Sequence, residues 1–359
     1  MSDDIEEIEG LSKDEDVSLG DYPIDTLLIR NETRTVQNVV QRIKDSRYVM
    51  DPDFQRDFIW EEDKQSKLIE SVLMRIPLPV FYLGEDDQGR MIVVDGLQRL
   101  STFKRFVNNE FRLKLPQQID LDKKLFKELS PKLQNRIEDC NLILYVIDAK
   151  VPERARLDIF ERVNGGVPLT RQQMRNCLFN GKATLFLKDE AENDLFKKVT
   201  GNSLTSKTMR DREFVNRFCA FQLLPIDTYK GDMDEWLAMV LKKMNQLEET
   251  SLIELSNKFQ NSLQNNFTLF PRQAFRKHNQ SQSRLGVINA SLWDVMTTGL
   301  SGYSNEEVKH HADKLRKHFY ELLQDLRFVN SITGSTNSKS NVIYRFEAIQ
   351  TILQEVFHA

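Results

Sequence analysis

The chain of 359 residues has few cysteines, few histidines and no long apolar run. Its three cysteines lie far apart, which excludes a disulfide framework and a zinc-ligand spacing and suits a reducing compartment. No apolar stretch approaches the roughly 18–20 residues of a membrane helix, so no transmembrane span is predicted. The opening MSDDIEEIEG lacks a basic region and an apolar core, which excludes a signal peptide. We therefore expect a soluble, cytoplasmic protein.

Basic residues are almost missing from the first part of the chain. Between Ser2 and Asp21 the acids recur every few positions, and Lys13 is the only basic residue. Such a segment buries little apolar area, so residues 1–21 are predicted to be a disordered acidic tail. Because the whole chain carries a net charge of -4, the remainder is mildly basic.

The next part of the chain mixes helical and strand patterns. Val36, Val39, Val40 and Ile43 have helical spacing, and residues 61–74 follow with the same period. The apolar runs 80–83 and 91–94 flank Asp86-Asp87-Gln88-Gly89, which predicts a hairpin, and residues 142–147 predict a buried strand. After Asp95-Gly96, apolar residues recur at helical spacing: Leu100, Phe103, Phe106 and Val107. Further helices are predicted as a short one from Ser130-Pro131, one over residues 152–163, and one over residues 169–178 with a capping box of Thr170 and Gln173.

Beyond about residue 185 the pattern is helical throughout. Helices are predicted over residues 213–224, 234–247, 253–263, 290–300, 306–328 and 344–357, and Ser304 with Glu307 forms a second capping box. The sequence thus predicts an α+β domain over residues 22–182 and an all-helical domain over residues 183–359.

The segment Asp95-Gly96-Leu97-Gln98-Arg99 joins a predicted strand to a predicted helix. A helix N-terminus exposes unpaired N–H groups and attracts phosphate, and Gly96 allows a tight turn and a close approach. In this hypothesis Arg99 contacts phosphate, Asp95 holds a magnesium ion or orients a water molecule, and Gln98 places that water. The same residues also suit a structural role, with Asp95 as a helix cap, Gly96 as a turn residue and Arg99 as a solvated charge.

Four stretches resemble the DGQQR-motif family, whose type member is the N-terminal domain of the GmrSD modification-dependent restriction enzymes. They are Asp51-Pro-Asp-Phe-Gln-Arg-Asp-Phe-Ile-Trp60, Leu68-Ile-Glu-Ser-Val-Leu-Met-Arg-Ile-Pro-Leu-Pro79, Val94-Asp-Gly-Leu-Gln-Arg-Leu-Ser-Thr102 and Phe160-Glu-Arg-Val-Asn-Gly-Gly-Val-Pro-Leu-Thr-Arg-Gln-Gln-Met-Arg-Asn176. Their order and spacing make the set more specific than any one of them. The resemblance implies a fold related to the ParB N-terminal domain and to sulfiredoxin.

In those relatives the same strand–turn–helix position cradles nucleotide phosphates, so the resemblance implies a nucleoside triphosphate site, with hydrolysis and a magnesium ion left open. The residues that it assigns to this site by motif match are Gln55, Arg56, Asp95, Gly96, Gln98, Arg99, Ser101, Thr102, Asn164, Arg171 and Arg175. Among these, Arg56 is implied to be a second phosphate partner. For Arg171 and Arg175, an exposed pair on one helix face is an equally good interpretation.

The sequence departs from the family pattern at Leu97, where the family has glutamine. Leucine cannot hydrogen-bond a phosphate or a water molecule, which favours binding without turnover. The restriction relatives often carry an HNH nuclease, whose metal clamp needs histidines with further ligands. The histidines here are His278, His310, His311, His318 and His358, and none has a ligand set around it, so no nuclease is predicted in this chain.

Acid-free basic windows lie at residues 162–188, 268–293 and 330–345. Lys and Arg among Gly, Ser, Thr and Asn suit phosphate contacts of nucleic acid, although solvated loops explain them equally well. The first hypothesis is a protein that couples nucleotide state to recognition of DNA, modified or from phage, in restriction or anti-phage defence, alone or as an oligomer and with a separate nuclease subunit. The second is an adaptor without turnover, and the third is a helical protein without ligand.

Overall fold

A computed structural model describes the chain over residues 8–9, 29–50, 60–86, 88–163, 170–278 and 285–358. The chain divides into two compact units: one lies within Asp21–Leu178, and the other comprises Phe179–Ala359 with the described N-terminal residues Ile8 and Glu9. The first unit combines a five-stranded sheet with helices, and the second is helical. The predicted α+β class with a helical C-terminal part is therefore confirmed.

The sheet of the first unit is mixed. Its strands are β1 (Ile29–Thr35), β2 (Tyr48–Val49), β3 (Phe81–Glu85), β4 (Met91–Asp95) and β5 (Asn141–Ile147). They lie in the order β1-β5-β3-β4-β2, with β1–β5 and β3–β4 antiparallel and β5–β3 and β4–β2 parallel. The predicted hairpin is confirmed in β3 and β4, whereas β1 and β2 lie outside the sequence-based predictions.

Helices cover both faces of this sheet. They are α1 (Val36–Lys44), α2 (Glu62–Leu73), α3 (Leu97–Val107), α4 (Pro131–Glu138), α5 (Glu153–Val163) and α6 (Arg171–Leu178). Met91 and Val93 of β4 belong to a buried core shared with α1, α2 and α3, and the alternate residues Ile92 and Val94 are buried on the other face. On that second face, α5 and α6 pack at Gly84 and along β4.

The second unit consists of short and medium helices. They are α7 (Lys182–Glu192), α8 (Asp194–Thr200), α9 (Arg210–Leu223), α10 (Met233–Gln246), α11 (Glu249–Leu269), α12 (Ala290–Leu300), α13 (Asn305–His310), α14 (Ala312–Leu322), α15 (Leu326–Thr333) and α16 (Lys339–Phe357). The prediction of one helix over residues 306–328 is wrong. The chain breaks at His311 and again at Asp325, whose carboxylate caps α15 by accepting from the N–H groups of Arg327 and Phe328. None of the helices described is long and apolar enough to cross a membrane.

Both predicted capping boxes are present. The Thr170 N–H donates to Gln173 Oε1 over 2.8 Å, and the Gln173 N–H donates to Thr170 Oγ1 over 3.2 Å. Ser304 and Glu307 make the same reciprocal pair at the start of α13. These side chains satisfy N–H groups that have no partner inside the helix, so the helix starts could be predicted from local sequence.

Two arginines of the acid-free windows are buried rather than available for phosphate. Arg276 donates to the carbonyl oxygens of Gly286 (2.8 Å), Ala274 (2.8 Å) and Thr200 (2.6 Å). Arg345 is fully buried and lies at an internal carboxylate within α16, not in a loop. The interpretation of these windows as phosphate-contacting loops is wrong at both residues, because burial removes the guanidinium groups from any external ligand.

Glu9 lies within the segment predicted to be disordered, and it is paired. Its N–H donates to the Ile288 carbonyl over 2.9 Å, and its own carbonyl accepts from the Ala290 N–H over 2.8 Å. Its carboxylate also forms an ion pair with Lys277. At this residue the structure differs from the expectation, because backbone and charge contacts with the helical unit offset the lack of apolar side chains.

The buried His278 makes the stability of the second unit depend on pH. Its Nδ1 lies 2.8 Å from the Arg276 carbonyl and its Nε2 lies 3.4 Å from the Tyr320 hydroxyl, and burial lowers the pKa of the imidazole. An unfolded histidine has a pKa of about 6.5, so below that pH the unfolded chain binds more protons than the folded one.

We therefore expect His278 to reduce the free energy of unfolding as the pH falls from about 6.5 towards its lower folded pKa. The reduction is at most about 1.4 kcal/mol per pH unit. Urea unfolding at pH 7.5 and 5.5 measures it, with His278→Gln as the variant that cannot titrate. An equal loss of stability in the wild type and in this variant would contradict the prediction.

Candidate functional site

The Asp95–Gly96 turn joins β4 to α3, as the sequence predicts. Gly96 is buried and has φ +95°, a backbone conformation that side chains rarely adopt. A Cβ at this position would press against the Phe81 ring, at 2.9 Å from Cε1 and closer still to Cδ1. Glycine is therefore required here both by the backbone conformation and by the ring of β3 that closes over it.

The start of α3 has no side-chain cap, because its N-cap residue is Gly96. The unpaired N–H groups of a first helical turn carry a partial positive charge that favours an anion. Asp95, the last residue of β4, is partly exposed beside this helix start, with 36% of its side chain accessible. The turn thus combines a helix start that attracts anions with one accessible carboxylate.

Arg99 is held by protein groups. Its guanidinium donates to Asp95 Oδ2 over 2.8 Å, to the Val80 carbonyl over 3.1 Å and to the Pro79 carbonyl, and it stacks 4.2 Å from the centre of the Phe81 ring. Burial lowers its pKa and Asp95 opposes that change. Arg99 therefore fastens the start of β3 to α3. This arrangement is a positioning role, in contrast to the phosphate contact that the sequence predicts.

Gln98 links the turn to the segment that precedes α2. Its Oε1 accepts from the Trp60 backbone N–H over 3.1 Å. Trp60 packs against the core, and the Lys64 ammonium lies 4.5 Å from the centre of its ring. Gln55 and Arg56, five and four positions before Trp60, lie outside the described residues, as does Phe54. The bond from Trp60 nevertheless brings the end of their segment against the first turn of α3.

The remaining α3 residues of the predicted site differ in how far their side chains are exposed to solvent. Thr102 is buried, and its hydroxyl donates to the Gln98 carbonyl over 2.7 Å, so it bonds within its own helix. Ser101 is half-buried. Leu97 packs in the core, so the position that carries glutamine in the family pattern serves the hydrophobic interior here.

The arginines of α6 bind inside the first unit. Arg171 donates to Asp158 Oδ1 over 3.0 Å and to Glu161 Oε2 over 3.3 Å. Arg175 is buried and donates to Gln172 Oε1 over 3.0 Å. The alternative of an exposed pair on one helix face is wrong for both, and the burial of Arg175 argues against its lining an open wall. Asn164 lies outside the described residues.

The residues at the turn suit phosphate better than they suit a metal ion on its own. The described part of the chain holds no group of three or more His, Cys, Asp or Glu side chains arranged to bind a metal ion. Asp95 is the carboxylate of the turn, and Arg99 already engages its Oδ2. A magnesium ion at Asp95 would therefore take most of its ligands from phosphate oxygens and water, which is common for this ion.

Sequence reasoning missed a basic cleft between the end of α2 and one face of α4, with a volume of about 490 Å³. Lys132, Asn135, Arg136 and Asp139 line it. Their spacing of three and four residues along α4 is a signal that the sequence contains. The sequence-based prediction identified this helix only by its start at Ser130-Pro131.

The first unit is an α+β domain whose distinguishing feature is a strand, a left-handed glycine and an uncapped helix start. Residues 36–180 match the family described as GmrSD restriction endonuclease, N-terminal domain. A comparison with curated proteins gives no match. The family indicates a role in restriction or anti-phage defence, with DNA as an interacting molecule.

Proposed function

We propose that the Asp95–Gly96 turn binds the phosphates of a nucleoside triphosphate, and that nucleotide state governs DNA recognition in restriction or anti-phage defence. The observation that carries this proposal is the uncapped start of α3 at a left-handed glycine, directly after β4. Backbone N–H groups in this arrangement bind phosphate without a dedicated side chain. The family of residues 36–180 supports the setting in defence.

The proposed roles of the side chains follow from what each one contacts. Arg99 positions the turn, because its guanidinium is occupied by Asp95 and by two carbonyl groups of the chain. In this proposal Arg56 neutralises the charge on the phosphates. The motif match assigns it to the site, and it lies four positions before Trp60 in the sequence. The bond between the Trp60 N–H and Gln98 supports this assignment, since it holds Trp60, four positions after Arg56, at the first turn of α3.

Binding without turnover is the second candidate, and three contacts favour it. Leu97 is buried in the core, Gln98 Oε1 is engaged by Trp60, and Asp95 Oδ2 is engaged by Arg99. The contacts of Gln98 and Asp95 withdraw polar groups that hydrolysis would use to place a water molecule, and the leucine side chain offers none. In this version the protein is an adaptor that responds to nucleotide, and a separate nuclease subunit cuts the DNA.

Gln98→Glu tests the phosphate site with little effect on the fold. The new side chain keeps an oxygen for the Trp60 N–H, and a negative charge in the first turn of a helix is favourable. The same charge repels phosphate. We expect nucleotide affinity to fall about tenfold, or about 1.4 kcal/mol, with an unchanged or slightly higher melting temperature in the absence of nucleotide.

The measurement is the shift in melting temperature with each common nucleoside triphosphate and magnesium, together with phosphate release with and without DNA. Gln88→Glu is the matched control, because it adds the same charge in the exposed turn at the opposite end of β4. Shifts that are equal in the two variants would contradict the site. Binding without phosphate release would select the adaptor, whereas release that requires DNA would select the coupled enzyme.

A further inference from the structure

The basic cleft defined above is bounded by the end of α2, the loop that follows it and α4. Its α2 side consists of Val72, Arg75, Ile76, Pro77 and Leu78, and its α4 side includes Lys132 and Arg136. Val72 is buried at its floor. The loop continues directly into Pro79 and Val80, whose carbonyls Arg99 holds. One wall of the cleft is therefore fastened to the Asp95–Gly96 turn.

Arg75 occupies a position where glycine is the usual residue. The Arg75 N–H bonds to the Val72 carbonyl and the Ile76 N–H bonds to the Ser71 carbonyl, both over 2.9 Å, which is the Schellman ending of a helix. Arg75 has φ +62° in this motif, an unfavourable conformation for a residue with a Cβ. Glycine would relieve the backbone at this position, so the side chain of Arg75 can be removed there without a loss of stability.

The cations of the cleft are not neutralised by the protein. Arg75 and Lys132 are exposed, and neither has a hydrogen-bond or ion-pair partner for its side chain among the residues that the structure describes. Arg136 donates to the Leu73 carbonyl over 3.0 Å and forms no described ion pair. Asp139 is the one carboxylate of the lining and lies at the far end of α4 from Lys132. The cleft therefore has an excess of positive charge that attracts phosphate groups.

We propose that this cleft binds the phosphate backbone of a DNA strand, with Arg75 and Lys132 as the principal contacts and Arg136 beside them. The proposal rests on the proposed function for its partner, and it names the surface where DNA recognition takes place. Exposed cations without a protein partner suit phosphodiesters, and such contacts give affinity without sequence information. The Arg99 contacts to Pro79 and Val80 then connect the nucleotide turn to the DNA surface through one short segment.

Arg75→Gly separates an effect on DNA binding from an effect on folding, because it should weaken binding and stabilise the fold. Glycine relieves the left-handed backbone, so we expect the melting temperature to rise by about 1–3 °C while DNA affinity falls. Ser46→Gly is the matched control. Ser46 has φ 57° at the same position after α1, next to the edge strand β2 and outside the cleft lining, and its replacement should raise the melting temperature and leave DNA affinity unchanged.

The salt dependence of DNA binding measures the number of phosphate contacts that the protein makes. Binding of a fluorescent 20-base-pair duplex to the full chain is measured between 50 and 200 mM salt. Each of Arg75→Gly and Lys132→Gln should make the negative slope of log K against log salt shallower by about 0.9. Lys150→Gln is the control, because exposed Lys150 lies beyond the end of β5, whereas Asn141 at the start of β5 lines the cleft. This variant should leave the slope unchanged.

The outcomes distinguish this inference from the proposed function. DNA binding that is unchanged in both cleft variants overturns the cleft and leaves the nucleotide site standing. Loss of DNA binding in these variants, with a normal response to nucleotide, supports the cleft. The cleft is also supported if DNA binding depends on Arg75 and Lys132 but no nucleotide binds, and in that case the proposed nucleotide function fails. If the cleft binds polyglutamate but no DNA, the proposal that it is a DNA surface is overturned.

Discussion

Replacing Asp294 with alanine is expected to lower the free energy of unfolding of the helical unit by about 3–5 kcal/mol. The Asp294 carboxylate accepts two bonds from Arg217, over 2.8 and 2.6 Å, and a third from Arg345 over 3.3 Å. All three side chains are buried, with at most 1% exposed. Removal of the carboxylate leaves two guanidinium groups inside the protein without their counter-charge, and this effect is larger than the loss of the bonds themselves.

Urea unfolding followed by tryptophan fluorescence measures this change, because Trp236 and Trp293 are buried in the same unit. Asp313→Ala is the control: Asp313 also pairs with an arginine, Arg316, but its side chain is fully exposed. A surface pair of this kind contributes about 0–1 kcal/mol. If Asp294→Ala were no more damaging than Asp313→Ala, the buried cluster would not be what holds α9, α12 and α16 together.

The second large effect is expected for Gly96→Ala, which should destabilise the α+β unit by about 2–5 kcal/mol. Two causes add: a left-handed conformation that disfavours alanine by about 1–2 kcal/mol, and overpacking of about 1–3 kcal/mol against Phe81. Arg99 adds to the crowding, since its Nη2 would lie 3.2 Å from the new Cβ. Equilibrium unfolding in urea, monitored by circular dichroism, measures the change.

Gly89→Ala isolates the first cause. Gly89 has φ +74° in the turn between β3 and β4, and among the described residues a Cβ there would meet only Glu85 Oε1 at 4.0 Å. We expect a loss of about 1–2 kcal/mol from the backbone conformation alone. The difference between the two variants then measures how tightly the Phe81 ring closes over the turn. Equal losses would show that the ring moves aside without penalty.

The elements that could be predicted from sequence are those with a local cause. The helical spacing of Val36, Val39, Val40 and Ile43 gives α1, because each of these residues is buried against the sheet. The turn between β3 and β4 and the capping residues at Thr170 and Ser304 are equally local, since side chains a few positions apart satisfy the backbone. In each case the interaction that forms the element lies within a few residues of it.

Strand β1 could not be predicted because its inward positions are charged. Arg30, Glu32 and Arg34 alternate along it and are half-buried. Arg30 pairs with Glu32 over 2.8 Å and with Glu85 of β3 over 2.7 Å. Charges that would mark a loop in a sequence thus occupy the rim of the sheet, because residues distant in the chain neutralise them.

The candidate site also combines features that the local sequence predicts with features that depend on residues distant in the chain. Sequence and family resemblance located the Asp95–Gly96 turn, but they assigned Arg99 and Arg175 to a ligand because a cation near a phosphate motif is the simplest interpretation. In the structure Arg99 donates hydrogen bonds to Asp95 and to two carbonyl groups, and Arg175 is buried and donates to Gln172. It also leaves Arg75 and Lys132 exposed and unpaired among the described residues, although nothing in their local sequence distinguishes them from other surface cations.

The sequence by itself determined where this chain turns, where most of its helices begin, and which family residues 36–180 resemble. Those features depend on backbone conformation, side-chain caps and apolar spacing, which neighbouring residues control. Only the tertiary structure decided which arginines face solvent and which are buried and paired inside the protein. The physical reason is that the environment of a charge depends on partners anywhere in the chain, as Arg217 and Asp294 show across 77 positions.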